Sequence, residues 1–542
     1  MMPPEGTAMD EWLSTRQAAA LLGVSTATIY RMEKRGLVVS ARTPGGQRRF
    51  RRTDLETYRD MSAGIRAPQN PSIHRRTGPG STPPLVSEQL YFPLYGKPTT
   101  HQAAALRPHG TALARSARHD LGDSYGERAG DIRQWLEEWE FRGSHTKTYT
   151  HGFHAYPAMF IPQVARKLLL AFTHEGDTIA DIFCGSGTAL VEARLLGRHA
   201  VGVELNPLAV LIARAKTTPI EVETLHAALR QVSDTCRRSP LVPVAFSPSS
   251  NLAFWFPPAI SAKINSIKQA ILGLSDDGLI CFFYVALSEV IRRASLTKHA
   301  EFKLVRDKNK VENGVRLDVY GAFMEAAMAS VAAMGDFVRD ASNATTTVIH
   351  GDSTTDVGIA DESLNMVLTS PPYGDSRTTV AYGQFSRLPA QWFGLLPDDA
   401  KDIDRTLLGG DADAPIDDPV GGRSDTLRRS VALIAEQDVR RARDVVTFYR
   451  DLYRALERAV RYLKGGGYFA VVIGNRTVKG ITLRTDLIIS ELCDPLGMTT
   501  HALLFRAIPN KRMPLENSPT NIPGMKAKTM HRESIVVMRK RP

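Results

Sequence analysis

The segment Asp181 to Leu190, DIFCGSGTAL, constrains the fold of this chain more than any other. Before it, Thr178-Ile179-Ala180-Asp181 is a short β-prone run; after it, Thr188 to Leu196 carries helical periodicity. The glycines therefore stand where a strand hands over to a helix. Gly185 and Gly187 permit a tight turn and a close backbone approach to a ligand that any side chain would obstruct. About twenty residues on, Ala200-Val201-Gly202-Val203-Glu204 reads as a second strand ending in an acid, where a carboxylate can accept from both hydroxyls of a ribose. The pattern has neither a phosphate-cradling GxGxxG nor a Walker lysine, so a nucleoside without a pyrophosphate fits better than a dinucleotide or ATP.

A second segment ends a strand in the same way. Leu364 to Thr369 is an apolar run, and Pro371-Pro372 in the following Ser370-Pro371-Pro372-Tyr373 terminate it, since neither proline can donate a ladder hydrogen bond. In open parallel sheets ligands bind at the carboxyl edge, so the two segments are expected to face one crevice. Taken singly, each is an ordinary turn; their joint placement is what points to a site.

These segments resemble those of the S-adenosylmethionine-dependent DNA amino-methyltransferases, which act on cytosine N4 or adenine N6. The resemblance covers the chain from about Asp131 to its end. It implies an α/β, class I (Rossmann-like) methyltransferase sheet. Within DIFCGSGTAL it assigns Asp181, Phe183, Gly185, Ser186, Gly187 and Thr188 to the cofactor, and within GVELNP it assigns Glu204 to the ribose. YPAMFIPQVARKLL, Tyr156 to Leu169, is similar to the segment that closes over the methionine end, with Phe160 as its contact. Asp352, in His350-Gly351-Asp352-Ser353, would meet the cofactor adenine. TSPPYG is similar to the family's catalytic motif, which makes Ser370, Pro371, Pro372 and Tyr373 the catalytic residues. Members with serine in the first position usually act on cytosine N4, whereas aspartate or asparagine there usually accompanies adenine N6. Many serine members carry the two motifs in the reverse, circularly permuted order, and this chain departs from them in that respect.

The catalytic motif also has a reading from chemistry alone. The lone pair of an exocyclic amine is delocalised into the ring, so the site must favour a rehybridised nitrogen. A backbone carbonyl held by the prolines and the Ser370 side chain could both accept from the amine and aim its lone pair at a methyl group, by positioning and electrostatics alone. Tyr373 would stack on a base extruded from the duplex, offsetting with about 1–3 kcal/mol an unstacking cost of a few kcal/mol.

The amino-terminal end points to the same partner, double-stranded DNA. Ser14-Thr15-Arg16-Gln17 is a capping box opening a helix, Ser25 can cap a second, and Leu37 to Arg52 fits a hairpin wing followed by a third helix at Thr53 and Glu56. The stretch is similar to winged helix-turn-helix modules of the MerR and excisionase type. In such modules the second helix enters the major groove, which makes Thr26, Thr28 and Arg31 candidate contacts, while Arg48, Arg49 and Arg51 of the wing would meet phosphates. The competing reading is a packing module with a solvated arginine run.

Residues 10–62 are thus expected as the DNA-binding domain, 63–130 as a flexible linker rich in Pro, Gly, Ser and Arg, and 131–542 as the methyltransferase domain. Two insertions are expected in the last, at about 217–344, mainly helical, and at about 375–437, whose Gly- and Asp-rich part reads as a mobile lid or disordered loop. The first carries a basic stretch, Arg292 to Lys310, that either tracks DNA backbone or forms a solvated face. A polar loop at 508–521 is a candidate contact to the target nucleotide.

The net charge of +11 suits a polyanionic partner. Four cysteines without a CxxC pair suggest reduced thiols in a cytoplasmic protein, with Cys184 a packing residue. The start is unlike a secretory signal, and the apolar run Gly278 to Leu287 is too short to span a membrane, so no membrane partner is expected. His151 and His154 lack companion ligands at metal-binding spacing, so no metal is expected. The favoured activity is methyl transfer to cytosine N4 in DNA, with S-adenosylmethionine as cofactor and room for a cognate restriction nuclease as partner. Adenine N6 methylation, RNA guanine N2 methylation and a DNA-binding regulator that only senses the cofactor are the alternatives.

Overall fold

The computed structural model describes most of residues 11–56, most of 139–508, a short strand pair at 516–517 and 527–528, and 532–542. The expected linker at 63–130 lies outside the described residues, as do Gly23, Gly36, Thr53, Phe160, Arg377 and most of the polar loop at 508–521. The chain divides into two compact units, one of Met1–Gly96, Ile220–Leu296 and Asp307–Gly335, the other of Lys97–Pro219, Thr297–Arg306 and Asp336–Pro542.

The first unit begins with β1 (Trp12–Ser14), α1 (Thr15–Leu22), α2 (Thr26–Lys34), β2 (Ser40–Arg42) and β3 (Arg48–Arg51). The capping box forms: Ser14 N donates to Gln17 Oε1 at 2.9 Å, and Gln17 N to Ser14 Oγ at 3.4 Å. β2 and β3 make an antiparallel wing, with β1 paired to the other edge of β3. Sequence reasoning missed β1, because three residues carry no periodicity and the pairing partner lies far along the chain. Ala18, Ala19, Ile29, Phe50 and Leu55 form the module's core, and Met328 and Ala329 pack against it.

Those two residues belong to the helix Val319–Asp340, which with Val222–Arg238, Pro258–Leu272 and Asp277–Ala294 supplies the longer helices of the region. At 22 residues it is long and apolar enough, by length and composition, to cross a membrane, which the run at Gly278 is not. Its Phe323, Ala327, Val331 and Met334 are buried at helical spacing, the stripe of a helix packed within protein. The basic stretch does not form one exposed face. Arg292 is buried, and Lys310 Nζ donates to the carbonyls of Arg293 and Ser295 at 3.3 and 2.8 Å, closing the C-terminus of Asp277–Ala294.

The second unit is built on a seven-stranded sheet. In chain order its elements are α3 (Pro162–Phe172), β4 (Thr178–Asp181), α4 (Thr188–Leu195), β5 (His199–Glu204), α5 (Pro207–Thr217), β6 (Thr346–His350), β7 (Leu364–Thr369), α6 (Tyr382–Trp392), α7 (Asp425–Ala435), α8 (Val439–Tyr462), β8 (Leu463–Ile473), β9 (Met498–Ala507) and β10 (Arg532–Lys540). The strand order is β9-β10-β8-β7-β4-β5-β6. β6, β5, β4, β7 and β8 run parallel; β10 and β9 close one edge antiparallel. The chain steps outward from β4 to β6, then returns to lay β7 on the other side of β4, so the order reverses between β4 and β7. A crevice opens at such a switch point.

Alternation along the strands loads two cores, one on each face. Ala180, Val367, Val471 and Val536 pack toward α8, while Ile179, Met366, Ala470 and Ile535 share a cluster with residues of α3, α4 and α5. The second insertion carries helices on both sides of its Gly- and Asp-rich part. It holds α6 and α7, with Phe385, Leu388 and Trp392 buried on one and Leu427, Val431 and Ile434 on the other. Their apolar residues recur at helical spacing, a signal outweighed in the sequence by the intervening Gly and Asp.

Gly202 marks the tightest contact behind the cofactor-type loop. A Cβ there would stand 2.5 Å from Leu190 Cδ1 and 2.9 Å from Cys184 Sγ. Gly202→Ala is expected to destabilise this unit by about 1–3 kcal/mol through overpacking, read as a lowered midpoint in thermal or urea unfolding.

Candidate active site

A hydrogen bond joins the two motifs across the switch point. Thr369 Oγ1, at the end of β7, donates to Asp181 Oδ1, at the end of β4, at 2.6 Å, and Phe183 N donates to the same carboxylate oxygen at 3.1 Å. The glycine turn follows, with Gly185 at φ +50° and Gly187 at φ +82°. Gly187 has a second reason to be glycine: a Cβ would stand 3.1 Å from Ala213 Cβ on α5. Glu204 fastens the loop from the next strand, its Oε2 accepting from Gly185 N at 2.9 Å and its Oε1 from Asn206 N at 2.7 Å. Asn206 then donates to Ser386 Oγ at 2.8 Å and Tyr156 Oη at 3.2 Å, tying the loop to α6.

A cavity of about 310 Å³ lies over these groups. Of the residues singled out from sequence, Asp181, Phe183, Gly185, Ser186, Thr188, Glu204, Asp352, Ser370 and Pro372 line it. Gly187 shapes the turn as the N-cap of α4, and Pro371 is buried beneath. Asp352 Oδ1 accepts from Thr354 N at 2.9 Å, and the neighbouring Ser353 hydroxyl donates to Ile182 O, which holds the Gly351-Asp352 turn at the end of β4. The cavity therefore gathers residues from β4, β5, β6 and β7, all at their carboxyl ends.

The catalytic turn is anchored from below. Ser370 Oγ donates to Val472 O on β8 at 3.0 Å. Tyr373 turns away from the cavity wall. Its hydroxyl donates to Glu533 Oε1 at 3.0 Å, and Glu533 Oε2 takes Arg506 Nη1 at 2.5 Å, while the ring packs against the core on the α8 side. The aromatic lining instead comes from Phe183, Tyr156 and Tyr382, the last two stacked at 6.0 Å and 24°. Sequence reasoning had placed the stacking ring on Tyr373 because of its position in the tetrapeptide. It also missed Arg405 to Leu408 and the α8 residues Arg450, Asp451 and Arg454, which complete the cavity. Arg450 and Arg454 belong to the charged face of α8, which in the sequence reads as a solvated face, so spacing did not single them out.

His151 has a structural partner. Its Nε2 lies 2.8 Å from Glu192 Oε1, and Arg166 Nε donates to Glu192 Oε2 at 2.6 Å, all close under α4. Cys184 is buried, and burial pushes its thiol well above the ordinary value, as suits a packing residue.

In the winged module, Thr26 is exposed at the start of α2. Thr28 and Arg31 lie on the same helix, with side chains outside the described residues. The wing arginines differ among themselves. Arg48 Nε donates to Glu33 Oε1 at 2.8 Å with its guanidinium 5.0 Å from the Tyr30 ring centre, and that of Arg51 lies 5.2 Å from the Trp12 ring. Arg49 stands between them on β3, partly exposed.

Comparison with known proteins matches residues 101–215 to a DNA methylase family and residues 12–61 to a helix-turn-helix domain. The type II methyltransferase M.MvaI of Kocuria varians is 36% identical over 444 residues, spanning 77% of this chain and 96% of that one. The type II methyltransferase M.MjaII of Methanocaldococcus jannaschii is 32% identical over 104 residues, 19% of this chain and 20% of that one. A solved SAM-dependent methyltransferase of Methanosarcina mazei aligns over 72% of this chain and 99% of its own, at 10% identity and a TM-score of 0.24, too slight a likeness to carry an argument.

Burial pushes the Asp181 carboxyl up to about 7, desolvation outweighing the bonds from Thr369 and Phe183, with Glu204 adding repulsion. The unfolded chain loses this proton near 3.8, so between about pH 4 and 7 the folded state holds a proton that the unfolded state has released. Stability contributed by the protonated group is full below that window and lost as pH rises through it. Asp181→Asn keeps the Oδ1 acceptor but has no such proton. Its unfolding free energy, measured by urea titration without ligand, is expected to fall less than that of the wild type from about pH 5 to 8, the difference reaching a few kcal/mol.

Proposed function

From the premise that this chain belongs to the type II DNA methyltransferases, we propose that it transfers a methyl group from S-adenosylmethionine to the exocyclic N4 amine of cytosine in double-stranded DNA. The observation that carries the reading is the anchoring of Ser370. A hydroxyl has one proton, and Ser370 gives it to Val472 O, so toward the cavity the side chain offers lone pairs only. An acceptor fixed in this way can take a hydrogen bond from an amine and raise the sp³ character of its nitrogen. The backbone carbonyls around Pro371 and Pro372 add a second acceptor. With the prolines fixing φ, little reorganisation is needed when charge develops on the nitrogen.

The residues present fit the methyl donor. The Glu204 carboxylate, which accepts from Gly185 N, would take the ribose hydroxyls, the turn glycines leave the backbone open, and Asp352 and Phe183 on the cavity wall would meet the base. When bound, the donor supplies an activated methyl group at its sulfonium. The chain's own contribution is to align the amine, exclude water under Tyr156 and Tyr382, and hold the two motifs at one crevice through Thr369 and Asp181. Cytosine is favoured because serine, and not an acid or amide, opens the tetrapeptide.

The winged module, in this reading, supplies further DNA contacts through Thr26, Thr28 and Arg31 on α2 and through the wing. Among the wing arginines Arg49 is the phosphate contact of choice, since Arg48 is tied to Glu33. Arg49→Ala is expected to lower the slope of log affinity against log salt by about one unit, in fluorescence anisotropy titrations on duplex DNA.

The activity is tested by treating duplex DNA with the protein and donor, digesting to nucleosides and analysing by mass spectrometry. N4-methyldeoxycytidine is the expected product; N6-methyldeoxyadenosine would move the assignment to adenine, and absence of both would reject the reading. Ser370→Ala is expected to lose about 10²–10³ in turnover while retaining donor binding by calorimetry.

A further inference from the structure

We propose that Ser186 and Lys216 form the receptor for the carboxylate at the amino-acid end of the methyl donor, an assignment that rests on reading the cavity as the donor site. Lys216, on α5, is fully buried, and among the described residues no carboxylate lies within ion-pair distance of it. Glu192, the acid of the neighbouring His151 cluster, is already taken by His151 and Arg166. A buried ammonium without a counter-charge is costly, and such groups are retained where a ligand completes them.

The geometry directs this cation at the cavity. Lys216 Nζ donates to Ser186 Oγ at 3.3 Å and lies 3.9 Å from Met159 Sδ, and both Ser186 and Met159 are on the cavity wall. With the Ser186 oxygen accepting from the ammonium, its own proton is free to point outward as a donor to an anion, with the positive charge directly behind. The contact of α5 with Gly187 through Ala213 is what brings Lys216 under the loop.

A buried acid borders the same loop. Asp181 also lines the cavity and is held by Thr369 and Phe183, without a cationic partner in ion-pair distance among the described residues. Burial holds the Lys216 ammonium down at about 7, which marks it as lacking compensation in the ligand-free protein. One unpaired acid and one unpaired amine flanking a single turn match the ammonium and carboxylate of an amino acid. Lys216 acts through Ser186 and is a positioning residue.

The test compares two nucleosides by isothermal titration calorimetry on the full chain: S-adenosylhomocysteine, which carries the amino-acid end, and methylthioadenosine, which lacks it. Both are expected to bind the wild type. Lys216→Met, similar in length and uncharged, should weaken S-adenosylhomocysteine by about 10- to 100-fold and leave methylthioadenosine unchanged. Ser186→Ala should reproduce the direction of this difference. Thermal melting of Lys216→Met at or above the wild-type temperature is expected, because an unpaired buried charge has been removed. Equal loss of both ligands, or no loss of S-adenosylhomocysteine in either variant, overturns the proposal. Failure of the wild type to bind methylthioadenosine instead overturns the reading of the cavity on which it rests.

Discussion

The hydrogen bond from Thr369 to Asp181 is the point on which the arrangement turns. β4 and β7 are neighbours in space but 188 positions separate the two bonded residues in the chain, and each strand ends in one of the two motifs. The bond ties those ends together at the position where the strand order reverses, so the glycine turn and the Ser-Pro-Pro turn open into one cavity. Phe183 N adds a second donor to the same oxygen, setting the direction in which the glycine turn leaves the sheet. Removing this tie would leave both motifs intact as local structures and take away their common geometry.

Around the tie, the site is notable for ionisable groups that the protein does not pair with opposite charge. Asp181 is a buried acid and Glu204 a half-buried one, both with pKa values raised by desolvation, and Lys216 is a buried amine whose pKa burial lowers. Backbone amides and hydroxyls hold the acids in position without supplying opposite charge. Fold stability is given up at these three positions, and a zwitterionic nucleoside is the kind of ligand that restores it. The surrounding structure compensates with dense apolar packing on both sheet faces and with a tight fit at Gly187 and Gly202, where even a methyl group meets a neighbour.

Much of this was legible along the chain because strand ends, turns and helix starts are local events. The capping box at Ser14, the helices at Pro258, Asp277 and Val319, the strand before Ser370 and the acid-terminated strand at Glu204 all follow from spacing and from what Gly, Pro and Ser do to a backbone. The reading went astray where a signal was weak or composite. α6 and α7 flank a Gly- and Asp-rich stretch, and beside that composition their short periodic apolar faces did not stand out. β1 is defined only by its pairing with β3, and the basic stretch at Arg292 to Lys310 holds a buried residue and a helix-capping one that charge counting cannot tell from exposed cations.

Sequence by itself determined the family, the α/β class, the two motifs and the winged module, because each rests on residues close together whose steric and hydrogen-bonding demands are met locally. Tertiary structure alone decided that Tyr373 faces Glu533 while Tyr156 and Tyr382 face the cavity, that Ser370 spends its proton on Val472, and that Lys216 lies behind Ser186. Those outcomes depend on which strands and helices become neighbours. The direction of a side chain at such a junction is set by partners tens to hundreds of residues away, and spacing along the chain does not encode it.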